Sequence, residues 1–438
     1  MNILKKSFKN FKKFNFVLFF SLCAMSLVPA VYGIIRTYIL SANIPSAEFD
    51  ILGQMEWFDL INETLLAFLT IPLYSVLNKT LINKKDEFGK YAFKGCFISF
   101  LVYLVFAIVV YFTGEYMIRA MEVPSESISS TRTYLQLETI AFSIGFLVSY
   151  SNVVFVVLEK KKYIIISLIL RLLVTIASDF FLIPNFGVNG VAFSNILING
   201  LLAIIIFAIM FFLGDIKVSW FKKQDLSYGK MWLKEGLFSG LQSFIDNFIY
   251  IVMIAKMVNL VAEQGNYWIA NDFIWTCLLI PVLALSEVIK ADCKKGYSGL
   301  FQGNYYLIIA FITIIWLITM PTWILFFQYV EGLENYKEIN TIVMKLFVFY
   351  IFYSLTVVPD SIFVGLGKMK YSFINSLMIN LVYYGLFFIL YKTNSIVFTM
   401  DVIILMFGFG MVAHEAISIV EEKVFLRKEM KKYEISIL

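Results

Sequence analysis

Long apolar blocks alternate along this chain with short, mostly basic connections. Twelve such blocks stand out, at roughly 14–40, 54–77, 91–113, 134–158, 163–184, 188–213, 234–258, 266–290, 304–329, 341–366, 370–391 and 397–420. Crossing a hydrocarbon core of about 30 Å takes about 20 helical residues, and the blocks have that length. The pattern predicts an all-α polytopic membrane protein with twelve transmembrane helices in two six-helix, pseudo-symmetric bundles. The longest polar connection runs from Gly214 to Lys230, between the sixth and seventh blocks. It divides the chain into an expected amino-terminal lobe (1–213), a cytoplasmic linker (214–230) and a carboxy-terminal lobe (231–438). Six is an even number, so both halves enter from the same side and form a parallel repeat about the membrane normal.

Two short echoes support the duplication. Asn62-Glu63 precedes Ile71-Pro72 by nine residues, and Asn271-Asp272 precedes Ile280-Pro281 by the same spacing. Leu158-x-Lys160-x-Lys162-Tyr163 returns as Leu366-x-Lys368-x-Lys370-Tyr371 at nearly the same offset. Each half therefore carries a carboxylate at a matching place in a span. Duplicated bundles with a polar site at the repeat interface commonly move solutes across bilayers.

Composition agrees with a lipid setting: 60% of residues are hydrophobic and 15% charged, against about 25% charged in soluble proteins. The net charge of +5 sits in connections, so it reports topology rather than nucleic-acid binding. Basic residues gather at the amino terminus, Lys84-Lys85, Lys160 to Lys162, the central linker, Lys294-Lys295, Lys368, Lys370 and the tail after Lys423, all on one face. By the positive-inside rule both termini are expected in the cytoplasm, in a bacterial plasma membrane. The first block is too long for a signal-peptide core, so a retained helix is expected. The four cysteines have no metal-ligand spacing, and one histidine, His414, excludes a multi-histidine centre. No cofactor is expected. An enzyme built on His/Asp or Ser/His pairs fits poorly, and a monomer in contact with lipid is expected.

Charge inside a span costs about 2.5–3.5 kcal/mol at the membrane centre on insertion scales, so each instance asks for a reason. The first half offers Arg36, Glu56, Asp59, Glu63, Arg171 and Asp179; the second offers Asp246, Asp272, Glu287, Asp360 and Asp401. Glu56 and Asp59 stand near a helix end, Glu287 has Lys290 close by, and Arg171 can snorkel. Asp360 follows Pro359, where a helix kinks and frees a carbonyl, so it is equally a site residue or a local partner. Arg36 and Glu63 are expected to neutralise one another. Asp246 and Asp272, if they share a cavity, cannot both ionise cheaply, which invites a proton or Na⁺ between them. Separate water pockets, or capture of Lys256, are the plainer alternatives. Gln242, Asn247, Asn62 and Asn271 can line the same cavity, whereas Asn195 and Asn199 suit interhelical hydrogen bonds.

The run Asp179-Phe-Phe-Leu-Ile-Pro-Asn-Phe-Gly187-Val188-Asn-Gly190-Val191-Ala192 resembles the join between helices 5 and 6 of multidrug and toxic compound extrusion (MATE) transporters, in the MOP flippase superfamily. Gly365-Leu366-Gly367-Lys368 resembles that family's glycine-basic turn after helix 10, and Gly236-Leu237 with Asp246 resembles the start of its helix 7. The resemblance implies export of small organic cations coupled to Na⁺ or H⁺ re-entry. It places Asp246 and Asp179 at acid positions of helices 7 and 5, and Tyr353 near the helix 10 acid. With Asp272 and Asn271, Asp246 and Tyr353 form the expected coupling-ion set. The expected substrate cavity comprises Arg36, Glu63, Asn62, Asp179, Gln242, Asn247 and Asp360. The chain departs from the family at Arg36, where many members have an acid, and at Thr175, where an asparagine is common. The alternative is a flippase of the same superfamily that moves a lipid-linked oligosaccharide or anionic lipid and uses Arg36 to hold phosphate.

Overall fold

A computed structural model describes residues 14–83, 88–158, 160–212, 227–293, 296–366, 368 and 370–429. The helices in its first half are α1 (Phe16–Asn43), α2 (Met55–Asn83), α3 (Phe88–Ala120), α4 (Ile128–Val157), α5 (Lys161–Phe186) and α6 (Asn189–Phe212). In the second half, α7 (Ser227–Tyr250) continues through a π-turn (Ile251–Ala255) into Lys256–Leu260. The next helix, α8, is broken into Gln264–Phe273, a π-turn (Ile274–Leu278) and Ile280–Asp292, with a bend of 51°. Then come α9 (Gln302–Leu325), α10 (Tyr336–Gly365), α11 (Lys370–Leu377 with Gly385–Lys392 after a π-turn) and α12 (Met400–Val420).

Ten helices are long and apolar enough to cross a membrane, and the bent α8 makes an eleventh among the described residues. The remaining long helix, α2, has 29 residues and carries Glu56, Asp59 and Glu63. Together they make the expected twelve-helix, all-α membrane fold. Large apolar side chains stand outward: Phe112 is 72% exposed and Ile318 71%. Such surfaces suit lipid, where every backbone polar group must be satisfied within its own helix.

Packing divides the chain into two compact units. Ile35–Gly265 forms one, and the segment up to Ile34 together with Asn266 onward forms the other. The first unit therefore takes in α7 with α2–α6, past the 214–230 linker expected from sequence. Of that linker, 214–226 lies outside the described residues, as do Lys84-Lys85, Lys294-Lys295 and the basic stretches before Phe14 and after Glu429.

In the amino-terminal unit α4 packs on α6 and α3, α5 on α6, and α2 on α7. Leu69, Leu73, Tyr103, Phe146, Phe155 and Leu202 fill one core, and Trp57, Phe58, Ile118 and Leu135 a second. Between membrane helices such packing replaces the hydrophobic effect as the driving force, which favours small residues where backbones close in. Gly240 of α7 shows this: a Cβ there would run into the Phe68 ring of α2. One end of this unit is tied by amides. Gln54 and Asn259 donate to each other reciprocally at 2.7 and 3.1 Å, and Asn259 also donates to the Met121 carbonyl. Asp50 accepts from the Gly265 amide at 2.6 Å. Burial raises the Asp50 carboxyl above its ordinary range and the Gly265 N–H opposes that rise.

In the other unit α10 is central, packing on α12, α8 and α9. Trp316 and Trp323 meet Phe347 edge-on, and Phe273 meets Phe327.

Candidate functional site

The amino-terminal unit builds its charged interior around Arg36. Nε donates to Asp179 Oδ2 at 2.7 Å and Nη2 to Oδ1 at 3.1 Å, so α5 holds the guanidinium in a two-point grip. Nη2 also donates to Asn195 Oδ1 at 3.2 Å. The Asn195 amide then donates to Glu138 Oε1 of α4 at 2.7 Å. Asp179 and Glu138 are each 1% exposed. Four helices thus meet on one cation. The expected pairing of Arg36 with Glu63 is replaced by this one: Glu63 is exposed, while Asp179 faces the arginine. Two turns earlier on α5 the pattern repeats in weaker form. Arg171 donates to Asn199 Oδ1 at 3.1 Å, and Asn199 donates to the Ala141 carbonyl. The two asparagines do bridge helices, as expected, but they also carry the arginines.

Acids outnumber bases on the neighbouring face of α2. Asp59 and Glu63, one turn apart, are both exposed. Asp59 lies within electrostatic reach of Glu138, Glu63 and Glu56. Glu56 accepts from the Tyr250 hydroxyl at 2.7 Å and from Gln264 at 3.2 Å, so it is a bonded side chain rather than a merely wet one. Asn62 accepts from the Tyr103 hydroxyl and so belongs to the contact with α3. Asn247 donates to the Leu60 carbonyl and to Thr64 Oγ1, both at 3.0 Å. That fixes the neighbouring Asp246 of α7 at the level of the Asn62-Glu63 turn of α2. The Gln242 side chain lies outside the described residues. Lys256 pairs with Glu122 at 3.4 Å, rather than with Asp246 or Asp272.

The carboxy-terminal unit holds Asp272, so Asp246 and Asp272 fall in separate units. Asn271 accepts from the Tyr350 hydroxyl at 3.1 Å, which itself accepts from Trp275 Nε1 at 3.1 Å. Tyr353 packs edge-on against Trp275 and Tyr350. It also lines a cavity of about 210 Å³ with Ser286, Lys290, Thr356, Asp360 and His414. Asp360 Oδ2 lies 3.1 Å from His414 Nε2, and its Oδ1 accepts from Ser418 at 2.9 Å. Asp360 is thus bonded to α12, beyond any local role at Pro359. Lys290 and Glu287 form the interfacial pair expected, at 2.7 Å. Glu331, in the connection after α9, is 4% exposed. Burial, and then the charge of Asp272, push its carboxyl up to about 8. Among the described residues no group of three His, Cys, Asp or Glu side chains converges to hold a metal ion.

Sequence reasoning missed Glu138 and Glu331 and set His414 aside. Glu138 stands one turn inside the predicted start of its span, at about residue 134. Its one available signal was the polar run Gln136-Leu-Glu138-Thr139 in an otherwise apolar block.

No family model matches this sequence, and no curated protein matches it significantly. Solved structures do. An inward-facing multidrug resistance MATE transporter of the MOP superfamily superposes with a TM-score of 0.73 at 16% identity, covering 96% of this chain and 98% of that one. A MOP superfamily transporter from Pyrococcus furiosus, described as having a binding pocket of reversed polarity that suggests a different function, gives 0.65 at 17% identity over 94% and 95%. A Vibrio cholerae MATE transporter mutant gives 0.62 at 12% over 98% and 99%. The chain has the fold of MATE transporters of the MOP superfamily, over nearly its whole length.

Proposed function

We propose that this protein is a secondary active exporter that moves small organic cations by alternating access, in antiport with Na⁺ or H⁺. The observation that carries this reading is the charge balance inside the amino-terminal unit. Arg36 is already held by Asp179 and Asn195, Glu138 lies one hydrogen bond beyond Asn195, and Asp59 brings a further carboxyl within electrostatic reach of Glu138 and Glu63. Such a face attracts a cation and repels an anion. The shared fold supports membrane transport, with both termini in the cytoplasm of a bacterial cell by the basic connections. Asp246, at the level of Glu63, is our candidate coupling acid in this unit. Asp272, Asn271 and Tyr353 are the candidates in the other, with Asp246 or Asp272 as the ligand where the coupling ion is Na⁺.

The second reading, a flippase for an anionic or lipid-linked substrate, draws on the reversed polarity described for the Pyrococcus furiosus transporter and on Arg36 and Arg171 here. The two-point grip of Asp179 on Arg36 counts against it, because phosphate would have to displace a buried carboxylate.

Ethidium efflux from liposomes containing the purified protein, under an imposed Na⁺ or H⁺ gradient, tests the reading. Gradient-driven efflux is expected, reduced roughly tenfold in Asp59→Asn and in Glu63→Gln, as loss of about 1.4 kcal/mol of attraction implies. Asp246→Asn should abolish coupling and leave insertion intact. Wild-type efflux in all three variants would overturn the assignment. Movement of an anionic lipid analogue, lost in Arg36→Ala, would favour the flippase.

A further inference from the structure

The carboxy-terminal unit contains the chain's single histidine, His414 of α12, against Asp360 of α10. Nε2 and Oδ2 are 3.1 Å apart, and Ser418 Oγ donates to the other carboxylate oxygen at 2.9 Å. Asn375 of α11 donates to Ser418 Oγ at 2.7 Å and to the His414 carbonyl at 3.1 Å. Three helices therefore fix the geometry of one imidazole–carboxylate pair. The pair is not enclosed: the side chains of His414 and Asp360 are 34% and 31% exposed. Both line the cavity of about 210 Å³ bounded also by Ser286, Lys290, Tyr353 and Thr356. A purely structural ion pair between membrane helices would gain from exclusion of water, whereas this one opens on a space large enough for several waters.

We propose that the His414–Asp360 pair is a proton-binding site of the carboxy-terminal unit. An ionised carboxylate can only accept, so Nε2 carries a hydrogen toward Oδ2, and Nδ1 receives the added proton from water. One H⁺ enters and no bond other than N–H forms. The pair passes from a net charge of −1 to 0, as imidazolium against carboxylate.

The other groups facing the pair leave room for that positive charge. From α8, Lys290 is balanced by Glu287 at 2.7 Å. From α10 comes Tyr353, and from α11 the neutral Asn375. Glu415 of α12, and Glu421 in the π-helical turn (Glu421–Leu426) that follows it, add acid beside His414. Glu422 is held apart by Tyr297, Gln302 and Lys423. Imidazole is the side chain whose ordinary titration falls between pH 5 and 8, so a physiological gradient can load and unload it. A change of one charge inside a span alters which packing of the helices is favoured, and that is what a coupling step requires. The coupling role rests on the exporter reading above; the proton site itself does not.

A single histidine makes the test direct. Protein labelled with ¹⁵N-histidine and purified without a histidine tag gives one imidazole spectrum in lipid nanodiscs. We expect it to pass from neutral to imidazolium between about pH 5 and 8, with proton affinity reduced at least roughly tenfold in Asp360→Asn. Ser418→Ala, which leaves the pair in place but removes a donor to the carboxylate, should raise it roughly two- to fivefold. An imidazole that stays in one state from pH 5 to 9, or that titrates identically in every folded variant, would overturn the site. In liposomes, His414→Gln should lose pH-gradient-driven ethidium efflux at least roughly tenfold; full retention would overturn its coupling role. Absence of efflux in the wild type under any gradient would defeat the exporter reading, while the titration would still decide the proton site.

Discussion

The two units answer the same electrostatic problem with different cations. In the amino-terminal unit a carboxylate inside a span, Asp179, faces an arginine; in the carboxy-terminal unit Asp360 faces a histidine. Arginine never releases its proton in a protein, so the first pair is a permanent neutralisation, buried on the Asp179 side and braced by Asn195 and Glu138. Histidine can release its proton near neutrality, and the second pair opens on a cavity. The difference teaches that a duplicated bundle need not duplicate its chemistry. One unit can hold a fixed charge that shapes the substrate face, while the other carries a charge that comes and goes.

The largest expected effect comes from breaking the fixed pair. Arg36→Ala leaves Asp179 buried without its partner and should cost about 3–5 kcal/mol, read as a lower Tm in detergent. The double variant with Asp179→Ala should recover part of that loss. Arg36→Ala and Glu63→Ala should instead add within about 0.5 kcal/mol, because the two side chains belong to different networks. Strong coupling between them would restore the pairing expected from sequence.

Glu331 sharpens the contrast from the other unit through pH. Its carboxyl is pushed up to about 8, first by burial and then by the charge of Asp272. Between an ordinary carboxylate value of about 4.5 and about 8, the folded chain keeps a proton that the unfolded chain has released. Stability should therefore fall as pH rises through that window and level off above it. The slope is bounded by about 1.4 kcal/mol per pH unit. Glu331→Gln should flatten the curve of Tm against pH, and a variant with the wild-type slope would show that Glu331 ionises normally.

Smaller effects should follow from neutral and exposed contacts. Asn259→Leu removes the partner of Gln54 and the donor to Met121, an expected loss of about 1–3 kcal/mol in Tm measurements. Lys345→Ala breaks an exposed ion pair with Asp401, whose side chains are 45% and 64% exposed. It should change stability by less than about 1 kcal/mol. A larger loss at Lys345 than at Arg36 would remove the distinction between braced and exposed pairs.

Much of the architecture was legible in the chain because a bilayer enforces it. Apolar runs of spanning length leave few alternatives, and all twelve expected spans meet a helix. The candidate site was less legible, for a geometric reason. Sequence shows that Arg36, Asp179 and Glu63 each lie in a span, but not how far each helix is rotated about its axis. That rotation decides whether Arg36 meets α5 or α2, and Asn62 and Glu63 show how one residue step turns a side chain from a bond with Tyr103 to an exposed position. His414 was passed over because a lone histidine argues against a metal centre and says nothing about a partner on a helix 54 residues away. Glu138 was missed because the burial of a polar residue near a span's end depends on the helices beside it. The repeat did align Glu63 with Asp272, yet packing puts Asp246 and Asp272 in separate units, so sequence symmetry alone did not define a shared site.

The fixed and the titratable cation are told apart most directly by pH-gradient-driven ethidium efflux from liposomes, with Asp179→Asn measured beside Asp360→Asn, each rate normalised to folded protein. The account predicts that Asp360→Asn loses its response to the pH gradient while remaining folded. Asp179→Asn should lose stability, with the gradient response kept in the folded fraction. Coupling abolished in Asp179→Asn and intact in Asp360→Asn would contradict it.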